Sequence, residues 1–362
     1  MRIGIAGRMA AAFVNSKLTP LVIIASLLLG FFAVLKTPRE EEPQIVVPMA
    51  DVIVSMPGAT AKDVERRVTS PMEKLVWEIP GVEYVYSTSS PGAAMVIVRF
   101  KVGQDQERAF VRLREKLQSH FDQIPPGVSE PIIKPHSIDD VPILALTFHS
   151  RNMDAYSLRQ VATRVEERIK EVPQVSETMI IGGPRRELRV VVDRARLASR
   201  NLSLDGLMQA LQGANQRAST GAFDDTNEQI TVKTGEFFRD RKDVEGIVVG
   251  VDQGRPVYLR DVAQVLDGPE EPRNYVLFGY GPASKVNDTS LHPAVTLSVA
   301  KRQGVNAIDV VHQVLAKVDT LKGKVIPSDV TVSVTRNYGE SAAEKSGELL
   351  YHMMIAVVSV TL

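Results

Sequence analysis

Between Leu18 and Leu35 the chain reads LTPLVIIASLLLGFFAVL, without one charged residue. A helix over this stretch rises roughly 27 Å at about 1.5 Å per residue, close to the hydrocarbon thickness of a bilayer. Pro20 falls at its start, where a missing N–H costs little, and Gly30 is tolerable in a membrane helix. The sequence that follows, KTPREEEPQ, offers no small-residue cleavage site, so residues 18–36 read as an uncleaved membrane helix rather than a leader. Arg2, Arg8 and Lys17 precede it, against Lys36 and Arg39 after it, which places residues 1–17 in the cytoplasm and the following chain outside. Residues 1–17 mix small apolar and basic side chains, as either a short amphipathic helix along the inner surface or a plain tail. A second apolar run, LLYHMMIAVVSVTL at 349–362, opens another membrane helix, and the chain is expected to be the front portion of a larger multi-span protein.

Composition narrows the chemistry. Forty-three Lys and Arg balance 43 Asp and Glu, so no basic field invites nucleic acid. Cysteine is absent, which removes disulfides, Cys-ligated zinc, iron–sulfur clusters and thiol nucleophiles together. The six histidines, at 120, 136, 149, 292, 312 and 352, show no metal-ligand spacing. His136 before Asp139-Asp140 reads as a polar loop entering a strand, and Gly279-Tyr-Gly281 lacks the third glycine and helix of a dinucleotide loop. Glu270-Glu271 and Asp224-Asp225 read as solvated loops, and Arg66, Arg67, Glu73 and Lys74 as an exposed helix face. No catalytic constellation, cofactor or metal is expected.

The soluble stretch repeats itself. A strand at 50–55 and a turn at Pro57-Gly58 lead into a helix whose apolar positions are Val64, Val68, Met72, Leu75 and Val76. Ile79-Pro80-Gly81 stops it. Strands at 82–86 and 94–102, separated by a turn at 87–92, precede a helix from Asp105 through Phe110, Leu113 and Leu117. Ile124-Pro-Pro-Gly127 closes that helix, and Ile132-Ile133 supplies a last strand. The order recurs with a strand at 143–148, a helix at 155–171 and a strand at 177–181. Val161, Val165 and Ile169 stand at a constant offset of 93 residues from Val68, Met72 and Val76, and Val172-Pro173 echoes Ile79-Pro80. The other half follows later, as a strand at 294–300, a helix at 306–321, Ile326-Pro327 and a strand at 330–334. The fold class is therefore α+β. Two β-α-β-β-α-β units of ferredoxin-like type occupy 44–137 and 138–182 with 291–335. The second is interrupted at its hairpin, a surface position that tolerates insertion, by 183–290. That insert reads as a strand at 187–192, a helix at 204–212, a polar arm at 219–233, and strands at 247–251 and 256–259.

This order resembles the N-terminal third of the resistance–nodulation–cell-division (RND) efflux transporters of the hydrophobe/amphiphile type. Pro57-Gly58-Ala59 with Val64, Gly103, Ile180-Ile-Gly182, Val257-Tyr-Leu-Arg-Asp-Val-Ala263 and Gly304-Val-Asn-Ala-Ile308-Asp309 carry the likeness in sequence order. The resemblance implies a proton-driven homotrimer in an inner membrane, with residues from about 37 to 348 in the periplasm. The two units become porter subdomains, and the insert becomes a docking domain toward a periplasmic adaptor and an outer-membrane channel. The proton relay of such pumps lies on later membrane helices.

By position, the resemblance puts small hydrophobic or amphiphilic substrates against Val141, Pro142 and Leu144 of one strand and Met179 and Ile181 of another. Asn274 and Leu277 lie on the return from the insert, with Ser89 and Ser90 of the first unit facing the same cleft. These strands carry few aromatic residues, which separates them from a polyaromatic drug pocket. The alternatives are an RND-like component for protein or lipid export, or a membrane-anchored periplasmic binding module.

Overall fold

The computed structural model describes residues 4, 7, 13, 16–37, 45–137, 140–216, 218–225, 228–234, 237–286 and 288–361. The amphipathic segment proposed for 1–17 lies almost wholly outside them, as does much of the exit at 38–48. Helix α1 (Thr19–Lys36) carries Pro20 in its first turn. Every described side chain from Leu21 to Val34 is exposed. Among the described residues no helix is long and apolar enough to cross a membrane.

The first unit comprises β1 (Met49–Ser55), α2 (residues 61–77), β2 (Val82–Ser90), β3 (Ala93–Phe100), α3 (Gln106–Gln118) and β4 (Ile132–His136). Its sheet is antiparallel throughout, in the order β2-β3-β1-β4. Period-two alternation builds it: Ala50, Val52 and Val54 of β1, with Val96, Val98 and Phe100 of β3, point under α2 and α3. The turn expected at 87–92 is shorter, because β2 continues to Ser90 and only Pro91-Gly92 reverses the chain.

The second unit has the same plan: β5 (Pro142–His149), α4 (Ala155–Ile169) and β6 (Val175–Ile181), and after the insert β14 (His292–Lys301), α9 (Ala307–Leu321) and β15 (Thr331–Asn337). β14 lies between β6 and β5, and β15 pairs the far edge of β5, all antiparallel. The repeat extends to backbone conformation. Gly81 and Gln174, 93 residues apart, both adopt positive φ, of 94° and 69°. Each carbonyl then accepts the N–H of the first residue past its unit's third strand in chain order, Lys101 after β3 and Arg302 after β14, at 2.9 and 3.0 Å. Leu144, Leu146, Phe148, Val161, Val165 and Ile169 form the heart of the second core.

The insert builds a separate core from β7 (Arg186–Val192), α5 (Arg194–Ser199), α6 (Leu204–Ala214), α7 (Arg241–Glu245), β10 (Val248–Asp252), β11 (Arg255–Tyr258), α8 (Leu259–Val262) and β12 (Ala263–Pro269). The polar arm is a hairpin of β8 (Ala218–Asp225) and β9 (Glu228–Thr234). Leu259, expected to end a strand, begins α8, and α5, α7 and β12 are additional; the two-residue β13 (Leu277–Phe278) follows them. The last helix, α10 (Tyr338–Thr361), starts eleven residues before the apolar run at 349. Ala342 is buried, and Gly339 lies against Val311 of α9. The run is therefore the continuation of a helix seated on the second unit.

Candidate functional site

The second sheet has one face under α4 and α9 and one face away from them. Alternation along β5 sends Leu144, Leu146 and Phe148 into the core and puts Ala145, Thr147 and His149 on the other face; β14 divides Val295, Leu297 and Val299 from Thr296 and Ser298 in the same way. Register then fixes rows across this face. Ile181 pairs Thr296, Thr296 pairs Thr147, and Thr147 pairs Ser333. Thr147 Oγ1 lies 2.9 Å from Thr296 Oγ1 and 3.0 Å from Thr335 Oγ1, and Ser298 Oγ donates to the Met179 carbonyl at 3.2 Å. The threonine hydroxyls satisfy one another and the Met179 carbonyl satisfies Ser298, which lets Thr147 and Ser298 be buried with their hydroxyls paired.

One edge of this ladder is apolar and open. Met179 and Ile181, 53% and 41% exposed, project from β6. Leu277, 57% exposed, follows on β13, which pairs the same strand β14 through Leu277–Pro293. At the end of the ladder the His149 ring stacks on Phe278 with centroids 3.8 Å apart, and Tyr280 packs edge-on to both. His149 Nε2 is 2.9 Å from Ser333 Oγ. Burial, and secondarily the neighbouring His292, hold the His149 pKa below its ordinary value. His292 Nε2 sits 2.9 Å from Asp288 Oδ2. Asp288 is kept well below the usual carboxylate range by the side-chain and backbone hydrogen bonds of Ser290, then by His292 and Arg151.

The nine residues expected to line a cleft divide. Met179 and Ile181 come together on the open edge; Leu277 pairs Pro293, whose parity along β14 is that of Val295 and Leu297, so it is exposed on the other side, with Asn274 exposed three residues before it. Val141 and Pro142 stand at the start of β5, Pro142 pairing Ala300 at the opposite end from Leu277. Leu144 is fully buried among the helices, because strand alternation turns it to the core face. Ser89 also faces helices, its hydroxyl 2.8 Å from Thr69 Oγ1 of α2, while Ser90 is exposed at the end of β2. The hydroxyl ladder and the His149–Phe278–Tyr280 stack were not anticipated. Alternation in PILALTFH and HPAVTLSVAK carries the signal for the ladder. The aromatic rings come from the return of the insert rather than from the strands.

Among the described residues no group of three or more His, Asp or Glu is placed to hold a metal ion, and His136, read from sequence beside Asp139-Asp140, instead meets Asp51 Oδ2 at 2.8 Å. An exposed apolar edge beside self-satisfied hydroxyls suits an apolar ligand with few polar demands.

Residues 9–362 match the profile of the AcrB/AcrD/AcrF family. Multidrug resistance protein MdtC of Yersinia pseudotuberculosis serotype O:1b (strain IP 31758) and of Yersinia pestis bv. Antiqua (strain Angola) are each 26% identical over 346 residues, covering 95% of this chain. The chain spans about a third of the length of these curated relatives, 33%.

Proposed function

This chain belongs to the AcrB/AcrD/AcrF family, RND transporters rather than enzymes, and from that premise we propose that it is the N-terminal part of a proton-driven, trimeric inner-membrane efflux pump. Its cargo is small hydrophobic or amphiphilic molecules. The continuous exposed apolar surface of α1 supports a membrane helix, since burying each large aliphatic or aromatic side chain is worth about 1.5–3 kcal/mol. The apolar half of α10 begins a second. Residues from about 37 to 348 are then periplasmic. The strand order shared by both sheets supports two ferredoxin-like porter subdomains, 44–137 and 138–182 with 291–335. The insert, 183–290, docks toward an adaptor protein and an outer-membrane channel.

Substrate lies along the open edge of the second sheet, against Met179 and Ile181, with Asn274, Leu277, Val141, Pro142 and Ser90 at its margins. Transport is a population shift, substrate and proton each favouring different conformers. The observation that carries this assignment is the apolar edge itself, Met179 and Ile181 exposed side by side on the open face of the sheet. The test is Met179→Trp in the full-length protein, expressed in cells lacking their own efflux. Extrusion of a hydrophobic dye should change several-fold while protein level and melting temperature stay as in wild type. Unchanged transport would remove Met179 from the substrate path, and loss of folding would make it a packing residue.

A further inference from the structure

On the helical side of the first unit, opposite the open face of its sheet, lies a cleft for which the transport reading has no use. Arg67, Pro71 and Met72 of α2 form one wall, and the segment from His120 to Pro131 forms the other. Val54, Val68 and Leu117, each 5% exposed or less, make the floor.

Two independent features single it out. The first is a π-helical turn in α2 at Glu65–Thr69, where the Ser70 N–H reaches back five residues to the Glu65 carbonyl. Pro71 explains it: the ring supplies no N–H and excludes the carbonyl four residues earlier, so the helix cannot continue in α geometry. Such turns are rare and are frequent at functional sites. Arg67 and Val68, which line the cleft, both belong to this one. The second feature is charge. Arg67 is exposed at the mouth, His120 lies across from it, and among the described residues no carboxylate lines the cleft. Asp63, one turn earlier, is committed to Thr60, and Arg67 acts on it only as a minor Coulombic neighbour.

We propose that this cleft is a second binding site, for a single-bodied amphiphile with one anionic head. The alkyl or aryl body lies over Val68 and Met72, and the anion pairs with the Arg67 guanidinium. The site does not depend on the transport assignment.

Anilinonaphthalene sulfonate and its uncharged parent, N-phenylnaphthylamine, share one aromatic body and differ by the head group. The full-length protein in nanodiscs should show a saturable sulfonate-dependent fluorescence component. Arg67→Gln, at an exposed position that leaves the fold alone, should weaken that component about tenfold without changing N-phenylnaphthylamine binding. Met72→Trp should abolish it, and Met179→Trp should leave it intact. The proposal is overturned if no saturable component exists, as when the rest of the protein covers the cleft. Equal binding of both probes, or indifference to Arg67→Gln, overturns it as well.

Discussion

Gln174 shows how the repeat constrains single residues. The position equivalent to Gly81 needs positive φ, and a side chain there costs about 1–2 kcal/mol. Gln174→Gly should therefore raise stability by up to about 1 kcal/mol once the extra entropy of glycine in the unfolded chain is subtracted, measurable as a higher melting temperature. His149 sets a pH dependence. Its folded pKa lies below the ordinary 6.5, so its contribution is complete above that pH and is lost as pH falls below it toward the folded value. Melting temperature should decline over that interval, and His149→Gln should flatten the decline. At this scale the sequence was half legible. Position along the strand placed Met179 and Ile181 on an exposed edge, but register, not position, decides which face a residue takes. Leu144 and Ser89 consequently fell on the helical side.

Elements long enough to display a period were readable; short ones were not. The helices at 61–77, Gln106–Gln118, Ala155–Ile169 and Ala307–Leu321 each show recurrent apolar positions, whereas Arg194–Ser199, Arg241–Glu245 and Leu259–Val262 span barely one or two turns. Asp105 and Asn306, each two residues after a positive-φ glycine (Gly103 and Gly304), cap the second helix of each unit. The junction into the insert is the most constrained. Gly182 and Gly183 turn with positive φ, and Arg159 of α4 donates to both of their carbonyls, at 2.6 and 3.1 Å. A Cβ on Gly183 would sit 2.6 Å from the Ala155 carbonyl oxygen, whereas one on Gly58, also at positive φ, would meet nothing within 4 Å. Gly183→Ala should cost roughly 2–4 kcal/mol, from backbone strain plus overpacking, and Gly58→Ala only about 1–2. Denaturant unfolding of the two variants side by side would show the difference.

At the scale of the molecule, the interruption of the second unit is possible because the insert closes on itself. The insert's core, from Leu188 to Val265, contains no residue of the second unit's core, and the reverse also holds. Its ends leave and return together. β7 pairs β12 from Arg186–Pro269 to Val192–Ala263, and just outside them the Glu270 N–H donates to the Arg185 carbonyl at 2.8 Å. Arg186 closes the neck with two bonds to Asp267, at 2.8 and 2.6 Å. Across the gap the second unit is equally complete, since β6 and β14 pair directly through Ile181–Thr296. The link that joins the insert to the second unit's open face is the return segment, which lays Phe278 on His149. Residues 184–271 expressed alone should therefore unfold in a single cooperative transition with mixed helix and strand signal. Replacing the same residues by a short glycine linker should leave the second unit folded, with Phe278 still on His149 because β13 lies beyond the cut. A non-cooperative insert would mean that its core borrows stability across the neck, and the two units would then move as one body during any transport cycle.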